Sequence, residues 1–338
     1  MQERCVSEAN DTPLNPRKRF AMSIRVKISL ALLFAFAALA CVVSISRCVR
    51  AEDTADVTGP DARPRAVLPA PPKGIKHVII VSFDGGKPAV IRQASMPFLK
   101  EMVSTGAHTW NAQTIMPSIT LPAHTSMLTG LAPSKHHVLW NNWMPEKGTI
   151  ASPTVFALAK QAGFVTGCIA GKDKFKHLNV PGTIDDFEIP DYHAEKCAAA
   201  AVRLIDSRKP GLLFVHFSDP DGAGHMFGWG SPQQVQALAE SDSALGMLQD
   251  AVAESNIASS TVFIVTADHG GHDRTHGLRI PDDMTIPWIT WGAGVRKGHQ
   301  IESPVVTYDT TATALWLLGV RLPANLDGRP VTEAYAVK

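Results

Sequence analysis

Three stretches of this chain share one form: an apolar, largely β-branched run that stops on an aspartate and a loop of small residues. They are VIIVSFDGG (residues 78–86), GLLFVHFSDPDGAGH (211–225) and TVFIVTADHGG (261–271). Runs of that length and composition read as strands buried on both faces of a sheet. A carboxylate at the tip of such a strand is costly to place unless something pairs with it. In an open α/β sheet, ligands bind beyond the carboxyl ends of the strands. Asp84, the Asp219/Asp221 pair and Asp268 are therefore expected along one rim, although more than half the chain separates the first from the last.

Imidazoles accompany these acids. His225 lies four residues after Asp221, and His269, His272, Asp273 and His276 follow Asp268 within one short loop. Three acidic strand tips joined by His225, His269 and His276 suit a pair of divalent metal ions. A mixed imidazole and carboxylate set favours zinc over magnesium or calcium, with manganese as a competitor.

The rest of the chain supplies the elements that such a sheet needs. Helices are expected over 96–105, with Pro97 in the first turn and Gly106 past the end, and over 153–162, 192–207 and 309–318. Another should start at the N-cap Ser231, with Pro232 at its first position and Gln234 three after the cap, and run to about residue 253. Pro122 is placed to start a helix just after Thr120. Further strands are expected over 164–170 and 286–292, and the DPDGAGH segment reads as a ligand-rich loop. The alternation predicts an α/β fold with a mostly parallel central sheet and helices on both faces.

Composition limits the alternatives. The 338 residues are 45% hydrophobic and 19% charged, with a formal net charge of +1, which describes a globular chain with a sizeable core. A near-neutral chain without a basic stripe gives no electrostatic argument for nucleic-acid binding. Residues 1–51 read as an export signal or signal anchor: Arg17, Lys18, Arg19, Arg25 and Lys27 precede an apolar run over 28–45. Cys41 offers a possible lipid-anchored start. Residues 52–74, rich in Pro, Ala, Asp and Arg, read as a tether, and 75–338 as the folded domain. All versions place that domain outside the cytoplasm: periplasmic, secreted or anchored. Cys168 and Cys197 could pair in an oxidising compartment or remain buried thiols.

SFDGG, ITLPAH, DPDGAGH, TADHGG and YDTTATALWLLG, in that order, resemble the alkaline phosphatase superfamily, in its branch of type I phosphodiesterases and nucleotide pyrophosphatases. The resemblance implies two zinc ions: one on Asp221, His225 and His276, the other on Asp84, Asp268, His269 and the nucleophile Thr120. It implies hydrolysis of a small phosphate ester through a phosphothreonine. Two ions about 4 Å apart would hold the entering and leaving oxygens of an in-line displacement. A threonine hydroxyl is a weak nucleophile unless activated, and the amide groups of the helix beginning near Pro122 would favour negative charge there. Asn141, rather than its neighbour Asn142, corresponds to an asparagine that donates to a non-bridging phosphoryl oxygen. Lys172 and Lys174 resemble the basic turn of threonine-nucleophile phosphomonoesterases; otherwise they form a solvated charge run. The branch suggests diesters, the lysines monoesters. His272 competes with His276 for one ligand position, and the His-Gly that precedes a short strand favours His276. His124 is expected to pack or to support the site, and His216 to lie in the core. A sulfatase would need a Cys or Ser in a C/S-x-P-x-R-like turn, where this chain has Thr120 followed by Leu-Pro-Ala-His. A catalytically silent metal-binding module would lack a ligand or nucleophile, and none is missing.

Overall fold

The computed structural model describes residues 68–336. The expected leader and residues 52–67 of the expected tether lie outside that range. Of the remaining tether residues, Pro69 lends its carbonyl to the indole nitrogen of Trp316 at 2.9 Å. Among the described residues no helix is long and apolar enough to cross a membrane.

Eight strands form one sheet: β1 (His77–Phe83), β2 (Ala107–Gln113), β3 (Thr166–Ala170), β4 (Asp186–Glu188), β5 (Leu212–Phe217), β6 (Thr261–Thr266), β7 (Thr285–Gly292) and β8 (His299–Gln300). Their order is β4-β3-β5-β1-β6-β7-β2-β8. The first five of these are parallel. β7 runs antiparallel to both β6 and β2, so the sheet is mixed at that end. The expected α/β architecture with a mostly parallel sheet is the observed one.

The helices of seven residues or more among the described residues are α1 (Pro97–Thr105), α2 (Thr120–Thr129), α3 (Val155–Gln161), α4 (Ala194–Arg208), α5 (Asp219–Phe227), α6 (Pro232–Glu254) and α7 (Asp309–Leu317). Alternation along the strands divides the core in two. Val78, Ile80, Leu212, Phe214, Val262 and Ile264 face Leu128, Phe156 and Leu315 of α2, α3 and α7. Ile79, Val81, Leu213, Val215, Phe263 and Val265 face Leu99, Leu204 and Leu245 of α1, α4 and α6. Ser231 caps α6 as expected, its side chain accepting from the Gln234 amide.

The sequence reading missed β2, whose HVIIVSF-like apolar run is absent: AHTWNAQ is only alternately buried. It also took DPDGAGH for a loop. That segment is the helix α5, and its glycines serve close packing. A Cβ on Gly222 would lie 1.7 Å from the Tyr192 hydroxyl, which donates to the Ser218 carbonyl. Cys168 and Cys197 are both buried free thiols.

Candidate active site

Register brings the acids together. Phe83 of β1 is level with Phe217 of β5, and Ser82 with Thr266 of β6. Asp84 and Asp268, each two residues beyond that last pair, therefore leave the sheet side by side. Asp268 ties the two tips together, its Oδ1 accepting from the amides of Gly85 and His269, each at 3.0 Å. The Asp219/Asp221 pair divides its labour. Asp219 accepts from Ala194 N at 2.7 Å and pairs with His193, which holds the start of α4, while Asp221 turns into the site.

Two ligand sets result. Asp221 Oδ1, His225 Nε2 and His276 Nε2 form a triangle with sides of 3.1, 3.3 and 3.5 Å. His269 Nε2 lies 3.2 Å from Asp268 Oδ2, 3.5 Å from Asp84 Oδ1 and 3.5 Å from Thr120 Oγ1. The His269 and His276 rings stack at 3.6 Å between centroids and so join the two sets. His272 is elsewhere engaged, its Nδ1 2.7 Å from Asp283 Oδ1, which leaves His276 in the cluster.

Orientation within these sets tests whether cations fit them. Each of the three carboxylates has one oxygen satisfied by the protein and one that is buried without a hydrogen-bond partner: Asp84 Oδ1, Asp221 Oδ1 and Asp268 Oδ2. The histidines show the same polarity. His225, His269 and His276 place Nδ1 against the carbonyls of Arg274, Gly270 and Ser118, at 2.8–3.0 Å. A carbonyl only accepts, so Nδ1 carries the proton and the Nε2 lone pair faces inward. His225 Nε2 and His276 Nε2 stand 3.1 Å apart, and the hydrogen bond with Asp221 raises the pKa of His225 from its ordinary value. Burial and the neighbouring His276 push the His269 pKa down to about 4, and burial lowers that of His276, so both are neutral ligands at pH 7. Burial and the charge of Asp84 raise Asp268 well above the usual carboxylate range. Orphaned carboxylate oxygens and imidazole nitrogens aimed at one point are what divalent cations would satisfy, and such charge would favour the ionised form of Asp268.

Lys172 lies between the sets. Its Nζ is 2.5 Å from Oδ2 of both Asp84 and Asp221, the oxygens that the ligand triangles leave over. Burial works against the charge on Asp84, but Lys172 and His216 outweigh it and hold that carboxyl well below its ordinary value. Lys174 reaches Asn141 instead, at 3.2 Å from Oδ1. The same oxygen accepts from Leu121 N at 2.8 Å. Two donors fix the amide oxygen at the start of α2, which leaves Nδ2 as the donor that the side chain still has to offer.

Thr120 is the first residue of α2, nearly fully buried, with Ile119 as the cap. Since Leu121 N is taken by Asn141 and Pro122 has no N–H, the helix start offers fewer amides than its position in the sequence suggested. The sequence reading placed His216 in the core, and it is buried there. It also donates Nε2–H to Asp84 Oδ2 at 2.9 Å, because its Nδ1 accepts from Gly171 N. His124 bridges the Thr120 carbonyl and Ser82 Oγ. The available signal was a polar residue, Ser82 or His216, inside an otherwise apolar strand just before a site acid.

The chain has an α/β fold of alkaline-phosphatase-like architecture, with this rim of acids and imidazoles beyond its strand ends. Residues 78–284 match the family of type I phosphodiesterase / nucleotide pyrophosphatase, and the chain belongs to it. Ectonucleotide pyrophosphatase/phosphodiesterase family member 3 of Mus musculus is 25% identical over 214 residues, 57% of this chain and 24% of that one. Family member 1 of Homo sapiens is 23% identical over 198 residues, 52% of this chain and 21% of that one. The chain thus spans about a quarter of the length of these relatives. Among solved structures, murine ectonucleotide pyrophosphatase/phosphodiesterase 5, an inactive variant in complex with AMP, superposes with a TM-score of 0.64 at 15% identity. That match covers 77% of this chain and all of the other. A 2-O GAG sulfatase gives 0.63 at 14% identity, covering 78% and 75%.

Proposed function

We propose that the protein is an exported hydrolase of small phosphate esters that works through a phosphothreonine on Thr120 with two zinc ions. The observation that carries this reading is the set of three orphaned carboxylate oxygens and three inward Nε2 atoms beside one buried hydroxyl. Zinc is favoured because ligand atoms at roughly 2.0–2.1 Å from a tetrahedral ion are roughly 3.3–3.4 Å apart. The sides of the first set are 3.1–3.5 Å, and His269 Nε2 stands 3.2–3.5 Å from its three partners in the second. Asp221, His225 and His276 would hold one ion, and Asp84, Asp268, His269 and Thr120 the other. When bound, the ions supply positive charge that favours the ionised threonine and offsets charge on the phosphoryl group.

The chain's own groups do the rest. Thr120 Oγ1 attacks phosphorus, the bond to the alcohol oxygen breaks and the alcohol leaves. Water then cleaves the phosphothreonine to release phosphate from a monoester or a phosphate monoester from a diester. Asn141 Nδ2 donates to a non-bridging oxygen, and the Lys174 ammonium lies close behind it. Burial and the neighbouring Lys172 lower the pKa of Lys174 from its ordinary value. A cleft of about 430 Å³, lined by Trp143, Ile189 and Tyr192 above Lys172 and Lys174, receives the ester. Two lysines at its floor support a monoester, whereas the family's description supports a diester. Export, with residues 1–51 as leader or anchor, 52–74 as tether and 75–338 as the catalytic domain, belongs to the same proposal.

The test compares p-nitrophenyl phosphate with its bis ester on zinc-loaded protein, alongside Thr120→Ala. Turnover of at least one ester is expected, with a loss of about a hundredfold or more in the variant. Equal turnover by the variant removes Thr120 from the chemistry.

A further inference from the structure

Trp229 lies outside every motif that identifies the site, yet it touches all three segments that carry the ligands. Its indole Nε1 donates to the Gly85 carbonyl at 3.1 Å, next to Asp84. Its backbone amide donates to the Asp273 carbonyl at 2.7 Å, in the loop between His269 and His276. The ring is bedded on three glycines. A Cβ added to Gly85, Gly224 or Gly271 would stand 3.1, 2.9 or 2.2 Å from an indole atom. Gly85 adjoins Asp84, Gly224 adjoins His225, and Gly271 is two residues past His269. The ring forms T-shaped pairs with the imidazoles of His225 and His276, with centroids 5.3 and 5.7 Å away and planes inclined at 87° and 62°.

The two rings it contacts need it unequally. The His276 side chain is almost enclosed, whereas that of His225 is 46% exposed and sits near the solvent end of α5. His225 is held otherwise by one hydrogen bond, to the Arg274 carbonyl. His269, in the other ligand set, is fully buried and is braced by α2 and by the tips of β1 and β6. An aromatic wall against His225 and His276 limits the directions in which their Nε2 atoms can point. The three glycines are what allow one ring to reach that wall position from all sides.

We infer that Trp229 is a positioning residue for the cation site of Asp221, His225 and His276, acting through the two imidazoles and touching neither substrate nor reacting atoms. The inference rests on the metal-centre reading given above. Replacing a group that orients metal ligands typically weakens the site about 10–100-fold. Trp229→Ala is therefore expected to weaken one of two zinc equivalents by about that factor and leave the other within about threefold. The Asp84, Asp268 and His269 set is the one retained.

The experiment titrates the full-length protein and its variants with Zn²⁺ against a chromophoric chelator, and with Co²⁺ while recording visible absorption and tryptophan fluorescence. His225→Ala marks which step belongs to the first set. Trp229→Phe keeps the aromatic wall but not the N–H, and is expected to recover most of the affinity lost in Trp229→Ala. Trp229 is one of seven tryptophans, so Co²⁺ quenching at the first set should lose its largest component in Trp229→Phe. The double variant Trp229→Ala/His225→Ala should lose less at that step than the product of the two single losses, because the part of the effect that passes through His225 is already gone. A residue that matters only for folding would lower Tm and leave both affinities and the Co²⁺ spectrum as in the parent. That result overturns the inference, and so does equal weakening of both equivalents. If the parent binds no cation, the metal-centre reading falls and this inference falls with it.

Discussion

Lys172, which the sequence leaves as part of a phosphate-binding basic turn or of a solvated charge run, lies between Asp84 and Asp221. That place makes a sharper prediction about the protein with and without bound cations. Its ammonium makes ion pairs with Oδ2 of both acids, and just 14% of the side chain is exposed. Burial disfavours that charge, but the two carboxylates more than compensate and hold its pKa above the ordinary lysine value. Lys172→Met leaves two buried carboxylates facing each other. Breaking a buried pair in this way costs about 3–5 kcal/mol. For a domain of this size that is a fall in Tm of roughly 6–20 °C. Cations bound at the orphaned oxygens of the same acids would offset much of the exposed negative charge, so the loss in the loaded protein should be smaller by about 2 kcal/mol. Linkage turns that difference into a gain of about 30-fold in cation affinity for the variant. Lys172→Met is thus expected to bind zinc more tightly while it melts lower and hydrolyses more slowly. Thermal denaturation with a chelator and with excess zinc, together with calorimetric titration, checks both halves. An equal fall in Tm under both conditions, or weaker zinc binding, would refute the charge-sharing argument.

Asn141→Ala removes the Nδ2 donor and should lower kcat by about 10²–10³-fold, as loss of one donor to a developing oxyanion does, with the folded state checked by circular dichroism. A fall confined to KM would instead assign Asn141 to ground-state binding. Glu333 gives a pH-dependent prediction away from the site. Burial raises its pKa, but donors from Glu302 N, Ser303 N, Ser303 Oγ and His299 bring the carboxyl down to about 2. A depressed acid stabilises the fold above its unfolded pKa of about 4.3 and loses that contribution as pH falls toward 2. With the side chain a quarter exposed, Glu333→Gln should cost about 1–2 kcal/mol at pH 7, and the gap should close between about pH 4.5 and 2. A gap that is constant with pH in urea denaturation would contradict the hydrogen-bond account.

What the sequence disclosed and what it hid follow from where the physical signal resides. Buried parallel strands write themselves as VIIVSF, LLFVHF and TVFIVT, and an acid after each is visible because the run before it is so uniform. β2 is different. It lies near the sheet's edge between β7 and β8, alternates in burial, and carries Asn111 and Gln113, so AHTWNAQ has the composition of a connector. The glycines of α5 misled for another reason. Gly222 and Gly224 lower helix propensity, although Pro220 sits in the first turn where proline is tolerated, and tertiary contacts with Tyr192 and Trp229 overrule them.

The site shows the same division at finer scale. Asp84, Asp221, Asp268, His225, His269 and His276 were legible as residue types at strand tips, because side chains with that chemistry are rare in such places. Which oxygen and which nitrogen each would present was not legible. The atoms that decide it are the carbonyls of Ser118, Gly270 and Arg274 and the amides of Gly85 and His269. Backbone groups carry no residue code, since any side chain at position 274 would leave the same carbonyl for His225 Nδ1. The candidate residues can therefore be read from the chain while their orientation cannot. That orientation, with one oxygen of each acid committed and the other left bare, turns a collection of acids and imidazoles into two places where a cation would be held.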